Sequence, residues 1–223
     1  MPIAPHTRTQ IEDLRARLDG ARPLIICDAD EVLVRFVATL EAYLGDEGLY
    51  LRFDSFALTG NIRRREDDRP LDKEEVGRLL RQFFATRIAD CPPVEGAAAA
   101  LHALSTRADI VVLTNLPDGL RAVREAALKR LGMPYPVIAN DGLKGPAVAL
   151  LALRRRAPIC FLDDLPPNID SVAEDAAHVH RIHFVADPRL AALLGPAARA
   201  HCRIDSWRDT RDYLERLLAA AGH

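Results

Sequence analysis

Two short apolar runs that each end in a pair of acids place the tightest constraint on how this chain can fold. Leu24-Ile25-Ile26-Cys27 stops at Asp28-Ala29-Asp30, and Ile159-Cys160-Phe161-Leu162 stops at Asp163-Asp164. A four-residue apolar run bounded by polar residues reads as a strand buried on both faces, which is how strands of a parallel sheet look. Open α/β sheets bind their ligands beyond the carboxyl ends of the strands. Acids at two such ends are hard to explain as packing, and together they point to a hard cation.

The rest of the chain supplies the sheet. Ile11, Leu14 and Leu18 recur at helical spacing before Gly20, and Pro23 opens the first strand. From Pro92-Pro93 onward helices and strands alternate: strands over 109–113, 136–139, 159–162 and 181–185, and helices over 95–105, 117–131, 146–155, 168–176, 188–194 and 207–221. This rhythm predicts an α/β fold, a Rossmann-like parallel sheet in three α/β/α layers with right-handed crossovers. Residues 36–91 break the rhythm with two helices, 36–44 and 73–88, around an arginine-rich loop, and no strand of the main sheet is evident there. The expected organisation is a core of residues 1–35 and 92–223, with a small helical cap subdomain of residues 36–91 set above the acids.

Composition narrows the class. With 223 residues, 49% hydrophobic and 28% charged, one substantial domain and a small subdomain can be buried. A net charge of −2 and an isoelectric point near 6.4 provide no overall basic field for nucleic acid or an anionic membrane surface. Cys27, Cys91, Cys160 and Cys202 are dispersed, without a Cys-x-x-Cys pair, so reduced buried thiols are expected. Met1 to Gln10 has no apolar leader core, and no apolar stretch is long enough to span a bilayer. The expected location is cytoplasmic.

Four segments in order carry a resemblance: Asp28-Ala29-Asp30-Glu31-Val32-Leu33; Val111-Val112-Leu113-Thr114-Asn115; Lys144 within Gly142-Leu143-Lys144-Gly145-Pro146; and Phe161-Leu162-Asp163-Asp164 with Asn168 behind it. The chain resembles the haloacid dehalogenase superfamily, phosphatase type, with a helical cap inserted after the first motif. Glu31 and Asp163 stand where many members have glycine. The resemblance implies Mg²⁺ as cofactor and Asp28 as nucleophile and metal ligand. It implies that Asp30 binds metal through its carbonyl and moves the proton with its side chain. Thr114, the Asn115 backbone N–H and Lys144 would hold the phosphoryl group. Asp164 would be the direct metal carboxylate, Asp163 would act through a metal-bound water, and Asn168 would orient the loop.

The chemistry supports those residue types. A phosphomonoester dianion repels a carboxylate nucleophile unless a cation neutralises the site, and Mg²⁺ prefers a few carboxylates plus substrate oxygens. An acid two residues beyond the nucleophile is needed for phosphate ester cleavage and not for halide displacement in this superfamily, so Asp30 favours a phosphatase acting through an aspartyl-phosphate. A phosphomutase, a nucleotide monophosphatase and a non-catalytic phosphate-ligand-binding protein stay open. Taken singly, each motif has a plainer reading: Thr114 as a helix N-cap, Lys144 as a surface lysine, Asp163 and Asp164 as helix-entry acids. Their order along one sheet favours the catalytic reading.

The expected partner is a small phosphorylated metabolite, and oligomeric state is not legible. His178, His180 and His183 resemble a metal cluster but read as structural or solvent-facing. Arg63, Arg64 and Arg65, interleaved with acids and followed by Arg69, read first as a solvated loop; the alternative is that one of them reaches an anionic part of the substrate. Tyr50, Phe53 and Phe56 read mostly as cap core, with one of them able to line the leaving-group pocket.

Overall fold

The computed structural model describes residues 3–55 and 57–223; Phe56, expected in the cap core, lies outside the described residues. After α1 (Pro5–Arg15), strand β1 (Leu24–Cys27) enters the centre of a six-stranded sheet. An excursion follows: α2 (Phe36–Asp46), β2 (Leu49–Leu51), β3 (Ile62–Arg64) and α3 (Lys73–Arg87). The chain returns through α4 (Ala97–Ser105), β4 (Asp109–Asn115), α5 (Arg121–Arg130), β5 (Val137–Asn140), α6 (Gly145–Ala152), β6 (Ile159–Asp163) and α7 (Pro166–Asp175). It ends with β7 (His180–His183), α8 (Pro188–Leu193), β8 (Cys202–Arg203) and α9 (Trp207–Ala220).

The sheet order is β5-β4-β1-β6-β7-β8, with every pairing parallel. β1 is therefore central, and the chain switches from one side of it to the other between β5 and β6. That is where a doubly wound sheet opens a crevice. Strand alternation divides the core into two faces. Ile25, Cys27, Val112 and Leu162 pack with Leu101 of α4 and Leu214 of α9. Ile26, Val111, Leu113 and Phe161 pack with Ile11 of α1, Val148 of α6 and Val172 of α7. All four cysteines are free thiols. Among the described residues no helix is long and apolar enough to cross a membrane.

The sequence signals fix several element ends. Asp72 and Glu75 form a reciprocal capping box on α3, and Ser206 caps α9. Proline opens α7 and α8, where the missing N–H costs nothing. The helix expected from residue 117 begins instead at Arg121, after a single 3₁₀ turn over Asp118–Leu120. Residues 36–91 add no strand to the main sheet, but they are not purely helical: β2 and β3 form an antiparallel hairpin. The strand β8 was also not anticipated; with two residues it leaves no periodicity to read.

The two chain crossings between core and insertion lie side by side. The Arg35 N–H donates to the Pro92 carbonyl at 2.9 Å, and the Val94 N–H donates to Leu33 at 2.9 Å. Trp207, buried in α9, donates its indole N–H to the Val32 carbonyl at 2.7 Å, anchoring the loop after β1 from below.

Candidate active site

The carboxyl ends of β1, β4 and β6 and the loop before α6 converge under the insertion. Asp28 follows β1 directly, and its backbone N–H donates to Leu162 of β6 at 2.9 Å, which continues the ladder one residue beyond the strand. Its Oδ1 accepts from the Ala29 N–H at 2.6 Å. Lys144 is fully buried and places Nζ 2.8 Å from Asp28 Oδ1 and 2.7 Å from Asp163 Oδ2, so one ammonium ties the ends of two strands. The other oxygen of Asp163 accepts from the Leu165 N–H and from Asn168 Nδ2, both at 2.9 Å. Both oxygens of Asp163 thus have partners that hold the loop. Asp164 lines the cavity instead, and its carboxylate makes no hydrogen bond among the described residues.

Asp28, Asp163 and Asp164 each offer an oxygen within 4.8 Å of the others, all buried. Three carboxylates face one lysine. Burial, offset by Lys144 and reinforced by Asp28, raises Asp163 above the usual carboxylate range; burial plus repulsion from Asp163 and Asp28 raises Asp164 well above it. Burial alone would depress Lys144, but Asp163 and Asp28 hold it above the ordinary lysine value. Such an excess of buried negative charge suits a divalent cation bound through oxygen.

Thr114 and Asn115 end β4 at the same level, and both line the cavity with Asp28 and Lys144. The Asn115 amide donates to the Gly142 carbonyl at 3.0 Å and accepts from Asn140 Nδ2 at 2.8 Å, bracing the loop that delivers Lys144. Gly142 turns there at φ 81°, a conformation that favours glycine.

Asp30 has a partner that sequence reasoning missed. Arg124 of α5, fully buried, donates through Nη2 to Asp30 Oδ1 at 2.6 Å, while its Nε and Nη1 have no partner among the described residues. A signal existed: Arg124 shares the helix face of Ala127 and Leu128, which are buried, so an arginine stands in an apolar stripe. Burial raises the Asp30 carboxyl, and Arg124 pulls against that rise. Glu31, at φ 55°, adopts a left-handed conformation that a residue other than glycine rarely takes. Its Oε1 accepts from the Val37 N–H at 2.7 Å, capping the first helix of the insertion, and burial pushes its carboxyl up to about 7. His183 is buried; its Nδ1 accepts from the Ala197 N–H at 3.1 Å, which leaves Nε2–H to donate to the Asp164 carbonyl at 3.0 Å.

The insertion closes a cavity of about 200 Å³ over these groups. Arg63, Arg64 and Arg65 do not line it. Arg63 pairs with Asp68 at 2.8 Å and Arg64 with Glu75 at 2.7 Å, while Arg65 donates to the Leu49 carbonyl at 3.0 Å. The hairpin turns these side chains toward two acids and a carbonyl of the insertion itself, so the expectation that one of them reaches the site is not met in this structure. The arginine that does line the cavity is Arg52, paired with Asp54 at 2.6 Å. Phe53 also lines it, while Tyr50 bonds Asp68.

The sequence matches no protein-family model and no curated protein, whereas the fold matches many solved structures. A haloacid dehalogenase family hydrolase from Deinococcus radiodurans, with bound phosphate and sodium, superposes with a TM-score of 0.59 at 17% identity, over 89% of this chain and 97% of that one. A Haemophilus somnus protein described as a predicted phosphoglycolate phosphatase superposes at 0.57 and 14% identity, over 88% and 100%. The magnesium-bound hydrolase YfnB of the same superfamily, from Bacillus subtilis, gives 0.58 at 11% identity, over 87% and 99%. The chain thus has the fold of the haloacid dehalogenase-like hydrolases.

Proposed function

We propose that the chain is a haloacid dehalogenase-superfamily hydrolase that cleaves small phosphomonoesters with Mg²⁺ through an aspartyl-phosphate on Asp28, in the reducing cytoplasm that its four free thiols suit. The observation that carries this reading is the cluster of Asp28, Asp163 and Asp164 at two strand ends, with Lys144 bridging Asp28 and Asp163. Asp28, Asp164 and the Asp30 carbonyl would hold Mg²⁺, which when bound supplies the positive charge that lets a carboxylate approach a phosphate dianion.

The protein groups divide the remaining work. An Asp28 carboxylate oxygen attacks phosphorus as the ester oxygen leaves, and Asp30 hands that oxygen a proton. Asp30, again a carboxylate, then takes a proton from the water that attacks the phosphorus of the intermediate, releasing inorganic phosphate and restoring Asp28. Arg124 fixes the Asp30 carboxyl in place for both transfers. Lys144, the Thr114 hydroxyl and the Asn115 N–H balance charge on the phosphoryl oxygens. Residues 36–91 act as a cap whose hinge is the paired crossing at 33–35 and 92–94, excluding bulk water when closed.

The test is Mg²⁺-dependent phosphate release from p-nitrophenyl phosphate. The native protein should turn it over and Asp28→Asn should lose at least about 10³-fold in kcat. Turnover by Asp28→Asn at the native rate would overturn the assignment.

A further inference from the structure

The cavity is divided in its chemistry. The core end presents Asp28, Thr114, Lys144 and Asp164, the groups assigned to phosphate and metal. The end under the insertion is walled by Phe36, Val37, Leu51, Phe53, Leu58 and Leu190. Most of that wall belongs to one apolar cluster shared by the insertion and the segment around α8, with Val37, Leu51 and Phe53 packed against Val185 and Leu190.

Most polar groups beside the wall already have a partner, the exception being Glu31 Oε2, which is buried without one among the described residues. Arg52 pairs with Asp54 at 2.6 Å, Ser55 Oγ accepts from Asn61 at 2.9 Å, and Glu31 accepts from the Val37 N–H at 2.7 Å. The wall is also held in place from behind. Arg189 lies over the Phe53 ring at 4.2 Å from its centroid, and its guanidinium forks onto Glu41 at 2.5 Å and Asp187 at 2.7 Å. A hydroxyl-rich leaving group entering this end would give up most of its water for few replacement partners, whereas an apolar one gives up none. The volume of about 200 Å³ also falls below the roughly 300–1,000 Å³ of pockets that take drug-sized ligands.

We infer that the leaving group of the substrate is a compact, largely apolar alcohol, alkyl or aryl, and that the wall discriminates against sugar and nucleoside phosphates. This inference rests on the phosphomonoesterase reading and narrows it. Leu51 and Leu58, both only partly buried, are specificity-determining residues open to substitution.

Cyclohexylmethyl phosphate and glucose 6-phosphate form a matched pair, one ring bare and the other hydroxylated. The native protein should show a kcat/KM at least about 100-fold higher on the bare ring, and Leu51→Asn or Leu58→Asn should shrink that ratio by about tenfold, mainly through KM. A native preference below tenfold, or one for the sugar, overturns the inference and leaves the phosphatase reading standing. The corresponding non-hydrolysable phosphonates, titrated into native protein by calorimetry, separate the two claims. If no ester is turned over but the bare-ring phosphonate binds at least tenfold more tightly, the phosphatase reading fails and the apolar site stands. Equal binding of the two phosphonates overturns the apolar site.

Discussion

Lys144 and Arg124 are both buried cations, yet their removal should be felt in different quantities. Lys144 neutralises Asp28 and Asp163 at 2.8 and 2.7 Å, and all three side chains are almost without solvent. Replacing Lys144 with Met leaves buried carboxylates facing each other, so chemical denaturation at pH 8 should show a loss of about 3 kcal/mol. The loss should diminish at pH 5, where the raised Asp163 and Asp164 carboxyls take up protons more readily than ordinary carboxylates. Arg124 is different because its partner Asp30 keeps 21% of its side-chain exposure, and two of the guanidinium nitrogens have no partner among the described residues. Arg124→Met should leave stability within about 1 kcal/mol while kcat falls at least about tenfold with little change in KM. A stability loss equal to that of Lys144→Met, with kcat retained, would make Arg124 a structural residue only.

At the scale of elements, the insertion is joined to the core by the paired crossing at 33–35 and 92–94, the Glu31 cap on α2 and the Arg189 fork to Glu41. Arg189→Ala removes the fork and the stacking on Phe53, so limited proteolysis should cut residues 47–61 several-fold faster than in the native protein, and phosphate analogues should restore protection. How far these elements were legible follows from where their signals lie. β1 and β6 announce themselves because four buried residues and a terminal acid are local. Asp28, Asp30, Asp163 and Asp164 come with them, and the Lys144 loop follows from the order of motifs. The hairpin of β2 and β3 has three residues per strand, too few for a period to show. Arg63–Arg65 looked available because a run of like charges says nothing of partners, whereas Asp68 and Glu75 claim two of them. Arg124 meets Asp30 across 94 residues, a pairing only the packing of α5 decides.

Stability of the whole molecule should depend on pH through Glu31. Its carboxyl is raised from 4.5 to about 7 by burial, with repulsion from Asp187 and Asp30, partly offset by the Val37 N–H. The native state holds this proton where the unfolded chain has released it, so the stabilisation is complete below pH 4.5 and is lost as pH rises toward 7. In metal-free buffer the difference between native protein and Glu31→Gln should therefore change by up to about 3 kcal/mol between pH 4.5 and 7 and level off above. Saturating Mg²⁺ should raise the melting temperature, with about 2.7 kcal/mol gained at 100 times Kd, and Asp164→Asn should abolish the gain. The central claim is that phosphate passes through Asp28. Acid-quenching the native protein during turnover of p-nitrophenyl phosphate, then reducing with borohydride, should convert Asp28 to homoserine in the peptide that carries it, as an acyl phosphate requires. Full turnover with Asp28 unmodified, or reduction at any other carboxylate, would contradict it.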